Sequence, residues 1–137
     1  MPQKTILVQE YMTRRLTTLS PDTEIMRAVQ TLLDNDISGA PVVDGEGLLV
    51  GVLTHKDCMK VVLNAAYHSE FCGTVADYMT STPIVMAPNI SVVEAAQQFL
   101  EKKFHSYPVV EDGVLVGQIS RRDILNALED AWQWQNR

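Results

Sequence analysis

The chain has 137 residues, 46% hydrophobic and 20% charged, with a formal net charge of -6 at pH 7. This size and balance suit one ordinary globular unit with no need of a disulfide staple, and the negative charge opposes nonspecific nucleic-acid binding. No apolar run reaches the roughly 20 residues of a membrane span and the N-terminal apolar stretch is too short for a signal peptide, so a cytoplasmic protein without membrane insertion is expected.

In chain order, a short helical turn is expected over residues 8–12, then a brief strand at Thr17, Thr18 and Leu19. Ile25, Ala28, Val29, Leu32 and Leu33 follow at helical spacing on one side, which predicts an amphipathic helix with only Asp22 or Thr23 to cap it. Strands at 40–43 and 48–53 flank a Gly-rich turn, and a helix is expected over 56–65. Residues 66–74 form a connector whose Tyr67 and Phe71 are expected to pack rather than stay free. The series then restarts. A turn at 75–79 leads to a strand at Ile84, Val85 and Met86. Next comes a helix carrying Val92, Ala95, Ala96, Phe99 and Leu100, with a capping box at Ser91 and Glu94. Strands at 107–110 and 114–119 and a helix over 122–134 complete it. Trp132 and Trp134 are expected to pack on the body or on a second subunit.

The restart is an internal duplication. Tyr11-Met12-Thr13 recurs 67 residues later as Tyr78-Met79-Thr80, and the same offset carries Pro41-Val42-Val43 onto Pro108-Val109-Val110. Beyond the next turn the offset falls to 66, so that Leu49-Val50-Gly51 matches Leu115-Val116-Gly117 and Asp57 matches Asp123. Loops tolerate such a one-residue change. The fold class expected is α/β (α+β): tandem β-α-β-β-α repeats, with two small mixed sheets packed in pseudo-two-fold symmetry. One copy is too small to bury both faces of its strands. The motifs at 8–65 and 75–134 are therefore expected to form one folding unit around a shared core.

Each copy ends its hairpin in a strand-to-helix junction. The first reads Thr54-His55-Lys56-Asp57 and the second Ser120-Arg121-Arg122-Asp123. A helix N-terminus offers unpaired N–H groups and a positive dipole end, which suit a phosphate. Lys56, Arg121 and Arg122 can add charge-assisted bonds, and the carboxylates of Asp57 and Asp123 can accept from sugar hydroxyls. The same residues also make ordinary N-caps and first-turn acids, and duplication would copy a cap as readily as a site.

These motifs, with Glu10-Tyr11-Met12-Thr13 and Asp77-Tyr78-Met79-Thr80 as openings, resemble the CBS domain family over nearly the whole chain, and the pair resembles a Bateman module. The resemblance implies clefts between the copies that bind adenosyl ligands: AMP, ADP, ATP, or in some members S-adenosylmethionine or a cyclic dinucleotide. Carried over by position, Asp57 and Asp123 would hold ribose, and Thr54 and Ser120 would contact phosphate, with His55, Lys56, Arg121 and Arg122 nearby. Thr17, Thr18, Gly39 and Ala40 in one copy, and Ile84, Val85, Ser106 and Tyr107 in the other, would line the base pocket. The second copy has two arginines where the first has histidine and lysine, so it is expected to hold phosphate better. Tyr107 stands where the first copy has Ala40 and either fills a base pocket or stacks in one.

Three histidines lack metal-ligand spacing, and no nucleophile–base pattern, zinc-protease motif or P-loop occurs, so neither a metal site nor an enzyme is expected. Cys58 and Cys72 read as free thiols. The reading is a stand-alone regulatory module with no required cofactor, an adenine-nucleotide ligand, a homodimeric state and an unknown effector protein. The rival is a ligand-free structural or dimerisation module with degenerate clefts.

Overall fold

A computed structural model describes residues 5–136. The chain divides into two compact units. The central unit is Thr17–Pro83, and the terminal unit joins the chain up to Leu16 with the segment from Ile84 onward.

In the central unit, α1 (Ile25–Asp34) precedes a hairpin of β1 (Gly39–Val43) and β2 (Leu49–Thr54), then α2 (His55–His68) and the short α3 (Val75–Tyr78). β1 and β2 pair antiparallel, with Gly39 opposite Thr54. The strand expected at residues 17–19 contracts to one parallel bridge, Leu19 to Val42. Thr80 adds an antiparallel bridge to Val52 on the other edge. Leu19, Ile25, Ala28, Leu32, Val42, Leu53 and Val61 form the core with Val75 and Tyr78.

The terminal unit repeats this plan. It contains a 3₁₀ turn at Val8–Glu10, α4 (Val92–Glu101), β3 (Ser106–Glu111), β4 (Val114–Ser120) and α5 (Arg121–Gln135). Met86 bridges Val109 in parallel, and Thr13 bridges Gln118 antiparallel. The core gathers Val8, Met12, Met86, Ala95, Tyr107, Val109 and Ile119. The β1–β2 turn is longer than its counterpart, as the offset change implies. Asp112 and Gly113 take positive φ (52° and 82°) in the tight two-residue loop between Glu111 and Val114.

The two units are not cut at the motif boundaries. Each core is one copy's β-α-β-β-α completed by the opening turn of the other copy, and there are two clusters rather than the single shared core expected. Val8 N–H donates to the Ile90 carbonyl and Val92 N–H to that of Ile6; in the central unit, Val75 N–H donates to Thr23 and Ile25 N–H to Gly73. These bonds satisfy helix-end donors that side chains leave open. So α1 has no side-chain cap, and neither Asp22 nor Thr23 serves as one. On α4, Ser91 Oγ accepts from Glu94 N–H at 3.1 Å.

Two other expectations fail. α2 runs through His68 and absorbs part of the connector, while Tyr67 and Phe71 stay exposed. Trp132 and Trp134, on the last turns of α5, are exposed rather than packed on the body, which leaves the second-subunit alternative open. Among the described residues no helix is long and apolar enough to cross a membrane, and both cysteines are free thiols.

Candidate functional site

β2 ends at Thr54 and α2 begins at His55 with no intervening loop; β4 and α5 meet in the same way at Ser120 and Arg121. Thr54 and Ser120 are extended N-caps with nearly equal dihedrals. Asp57 N–H donates to Thr54 Oγ1, and Asp123 N–H to Ser120 Oγ, both at 3.2 Å. The aspartates reach back to the cap backbones: Thr54 N–H donates to Asp57 Oδ2 at 2.9 Å and Ser120 N–H to Asp123 Oδ2 at 2.8 Å. Both junctions are therefore closed capping boxes.

Beyond the boxes the copies differ. Asp57 is 4% exposed. Its Oδ2 also accepts from the Thr54 hydroxyl at 3.0 Å, and its Oδ1 from Lys60 Nζ at 3.3 Å and the Thr80 hydroxyl at 3.2 Å. Asp123 is only partly buried, and its Oδ1 has no partner among the described residues. The thiol of Cys58, beside Asp57, is pushed up by burial and by that carboxylate's charge. Sequence reasoning missed Lys60 and Thr80. A signal existed for Lys60, since a cation three residues after Asp57 lies on the same helix face while the duplicate position holds Asn126.

The cationic positions are exposed at both junctions. His55 Nε2 lies 3.0 Å from the Ile37 carbonyl, which fixes its ring. The backbone N–H groups of His55 and Arg121 are spent on the Ser38 and His105 carbonyls.

At the strands, Leu19 opposite Val42 brings Thr17 alongside the Gly39–Ala40 end of β1, and Met86 opposite Val109 brings Ile84 alongside the Ser106–Tyr107 end of β3. Ala40 and Tyr107 both point into their cores. Tyr107 is 1% exposed, donates to the Gln98 carbonyl at 3.1 Å and meets Phe99 and Phe104 edge-to-face at 4.9 and 5.6 Å. Burial pushes its hydroxyl above the ordinary tyrosine range, while the charge of Arg121 pulls it down. Ile84 and Val85 keep 41% and 39% of their surface exposed.

Two depressions lie away from the junctions. One of about 530 Å³ is lined by Lys60, Asn64, Tyr67, Cys72, Asp77 and Tyr78. The other, about 330 Å³, takes in Thr18 but sits at Val43–Gly45, the far end of β1 from Gly39 and Thr54.

The CBS domain profile matches residues 8–64 and 75–130. The chain belongs to the CBS domain family. The protein MJ1225 of Methanocaldococcus jannaschii is 30% identical over 129 residues, which cover 94% of this chain and 45% of that protein. The chain thus spans less than half of that curated relative. Among solved structures, CBSX2 in complex with AMP, a protein of Arabidopsis thaliana, is 30% identical, with a TM-score of 0.81 and coverage of 91% of this chain and 97% of that one. The CBS pair of MJ0100, in complex with 5'-methylthioadenosine and S-adenosyl-L-methionine, is 25% identical, with a TM-score of 0.73 and coverage of 93% and 98%. This CBS pair is therefore a mixed α/β molecule with two small antiparallel sheets, and its family neighbours include proteins crystallised with adenosyl ligands.

Proposed function

We propose that this CBS pair is a regulatory module, not an enzyme, that binds an adenine nucleotide or related adenosyl ligand at a strand-to-helix junction. The observation that carries this reading is the junction itself: a hydroxyl cap, adjacent exposed cations and a carboxylate on the first helical turn, repeated in both copies of a family whose neighbours hold AMP and S-adenosylmethionine. Phosphate suits the cations and the helix N-terminus, and ribose hydroxyls suit a carboxylate. A ligand of this kind shifts a conformational or oligomeric equilibrium only by its preference for one state, which an effector protein then reads.

The homodimer belongs to the same proposal. Met59 and Val62 on α2, and Leu125 and Leu128 on α5, are duplicate positions, and each is more than half exposed. A second copy of the chain covers such a repeated stripe by using it twice.

Calorimetric titration of nucleotide-free protein with AMP, ADP, ATP and S-adenosylmethionine tests the reading. Saturable binding of at least one supports it. Absence of binding to all four overturns it in favour of a ligand-free dimerisation module.

A further inference from the structure

The duplicated junctions are alike in sequence and unlike in what their polar atoms have left to offer. At the first, Asp57 accepts four hydrogen bonds from Thr54, Lys60 and Thr80 in addition to a long contact of 3.4 Å from Thr80 to Oδ2. A carboxylate has about four lone-pair sites, so Asp57 has nothing left with which to hold a sugar. The Thr54 hydroxyl is spent as well. It donates to Asp57 and accepts from the Asp57 N–H.

At the second, Asp123 Oδ2 takes the Ser120 N–H and Oδ1 takes nothing among the described residues. Ser120 Oγ accepts from Asp123 N–H, and its own O–H has no acceptor there. Thr13, the duplicate of Thr80, bridges Gln118 through its backbone and makes no bond to Asp123. Asn126 stands where Lys60 would neutralise the carboxylate. The neighbouring strand segments differ in the same sense. Ile84 and Val85 present exposed apolar surface where the first copy has Thr17 and Thr18, and an adenine ring is covered better by the former.

We infer that one chain binds a single adenosyl ligand, at Ser120–Asp123, and that Asp57 is a structural latch joining the α2 N-terminus to Thr80 rather than a ligand group. This rests on the adenosyl-binding reading above and narrows it to one junction. The latch must break before the first junction can accept ribose. That would leave a buried carboxylate to find new partners, a cost the second junction does not carry.

The test is calorimetry of the full chain with AMP as the probe, nucleotide having first been removed, on the wild type and on Asp123→Asn. The expected result is one AMP per chain and at least tenfold weaker binding in the variant. Because Asp123 also caps α5, the fold of that variant is checked by circular dichroism. The surface variant Arg121→Ala/Arg122→Ala, which leaves the cap in place, is expected to show a similar loss. Two AMP per chain, or one site that survives both variants, overturns the single-site inference while leaving the adenosyl reading intact. Failure of AMP, ADP, ATP and S-adenosylmethionine to bind the wild type overturns both.

Discussion

The hydroxyl of Tyr11 donates to Oδ2 of Asp130 at 2.6 Å, joining residues 119 positions apart in the terminal unit. The duplicate pair does the same work in the central unit, where Asn64 donates to the Tyr78 hydroxyl at 2.8 Å and that hydroxyl donates to the Cys72 carbonyl at 3.0 Å. In both units the opening turn of one copy is tied to the last helix of the other.

The Tyr11 bond makes a pH-dependent prediction. The bond to Asp130, then desolvation and the carboxylate's charge, push the Tyr11 hydroxyl up to about 12. The folded state therefore holds this proton more tightly than the unfolded chain, whose tyrosine titrates near 10. The contribution is complete below pH 10 and is lost as pH rises from about 10 to about 12. Partial exposure and solvent screening limit it to about 1 kcal/mol. Tyr11→Phe is expected to lower stability by that amount at pH 7 in urea unfolding. The difference from wild type should vanish above pH 12; a difference independent of pH up to that point would refute the assignment.

The two aspartates separate in stability. Asp57→Ala removes a buried acceptor from Thr54, Lys60 and Thr80, and is expected to cost about 3 kcal/mol. Asp123→Ala loses one half of a capping box and is expected to cost about 1 kcal/mol. Lys60→Met should cost less than about 1 kcal/mol, because the lysine side chain is 59% exposed and the pair is screened. Equal losses for the two aspartates would mean that the latch adds nothing.

How much of this was legible follows from where the information lies. The order of elements, the hairpins and the two junctions could be read because periodicity, Gly-rich turns and the offset of 67 are local signals. The exchange of opening turns could not. Tyr11-Met12-Thr13 sits beside its own copy in the chain, and where it packs is revealed by long-range contacts such as Val8 to Ile90, Thr13 to Gln118 and Tyr11 to Asp130. The latch was hidden for the same reason, since Thr80 reaches Asp57 from 23 positions away and Thr54-x-x-Asp57 looks like Ser120-x-x-Asp123 until that contact is drawn. The exposure of Tyr67 and Phe71 was also misjudged, because apolar character alone does not decide which side chains the chain's own core takes in.

Dimerisation through the duplicated helix stripes predicts a change in mass rather than in fold. Val62→Glu with Leu128→Glu places charges on positions 58% and 64% exposed, so the monomer should tolerate them. Sedimentation equilibrium is expected to show a dimer for the wild type and a monomer for the double variant. A wild-type monomer at tens of micromolar would remove the second copy from the proposal.

Gly51 and Gly117 offer a test of the exchanged turns. A Cβ on Gly51 would lie 2.7 Å from both Met79 Sδ and the Thr80 carbonyl oxygen; on Gly117 it would lie 2.7 Å from Met12 Sδ and 3.0 Å from the Thr13 carbonyl oxygen. A methionine tip can swing aside, whereas a carbonyl held in a strand bridge cannot move without breaking it. Gly51→Ala is therefore expected to cost about 2 kcal/mol and Gly117→Ala somewhat less. The strain should be felt at the opening turns. Hydrogen exchange of the Thr80 amide should accelerate in Gly51→Ala and that of Thr13 in Gly117→Ala, each leaving the other unit's amide unchanged. If the Thr13 amide responded to Gly51→Ala while Thr80 did not, the opening turns would pack on their own copies and the exchange would be wrong.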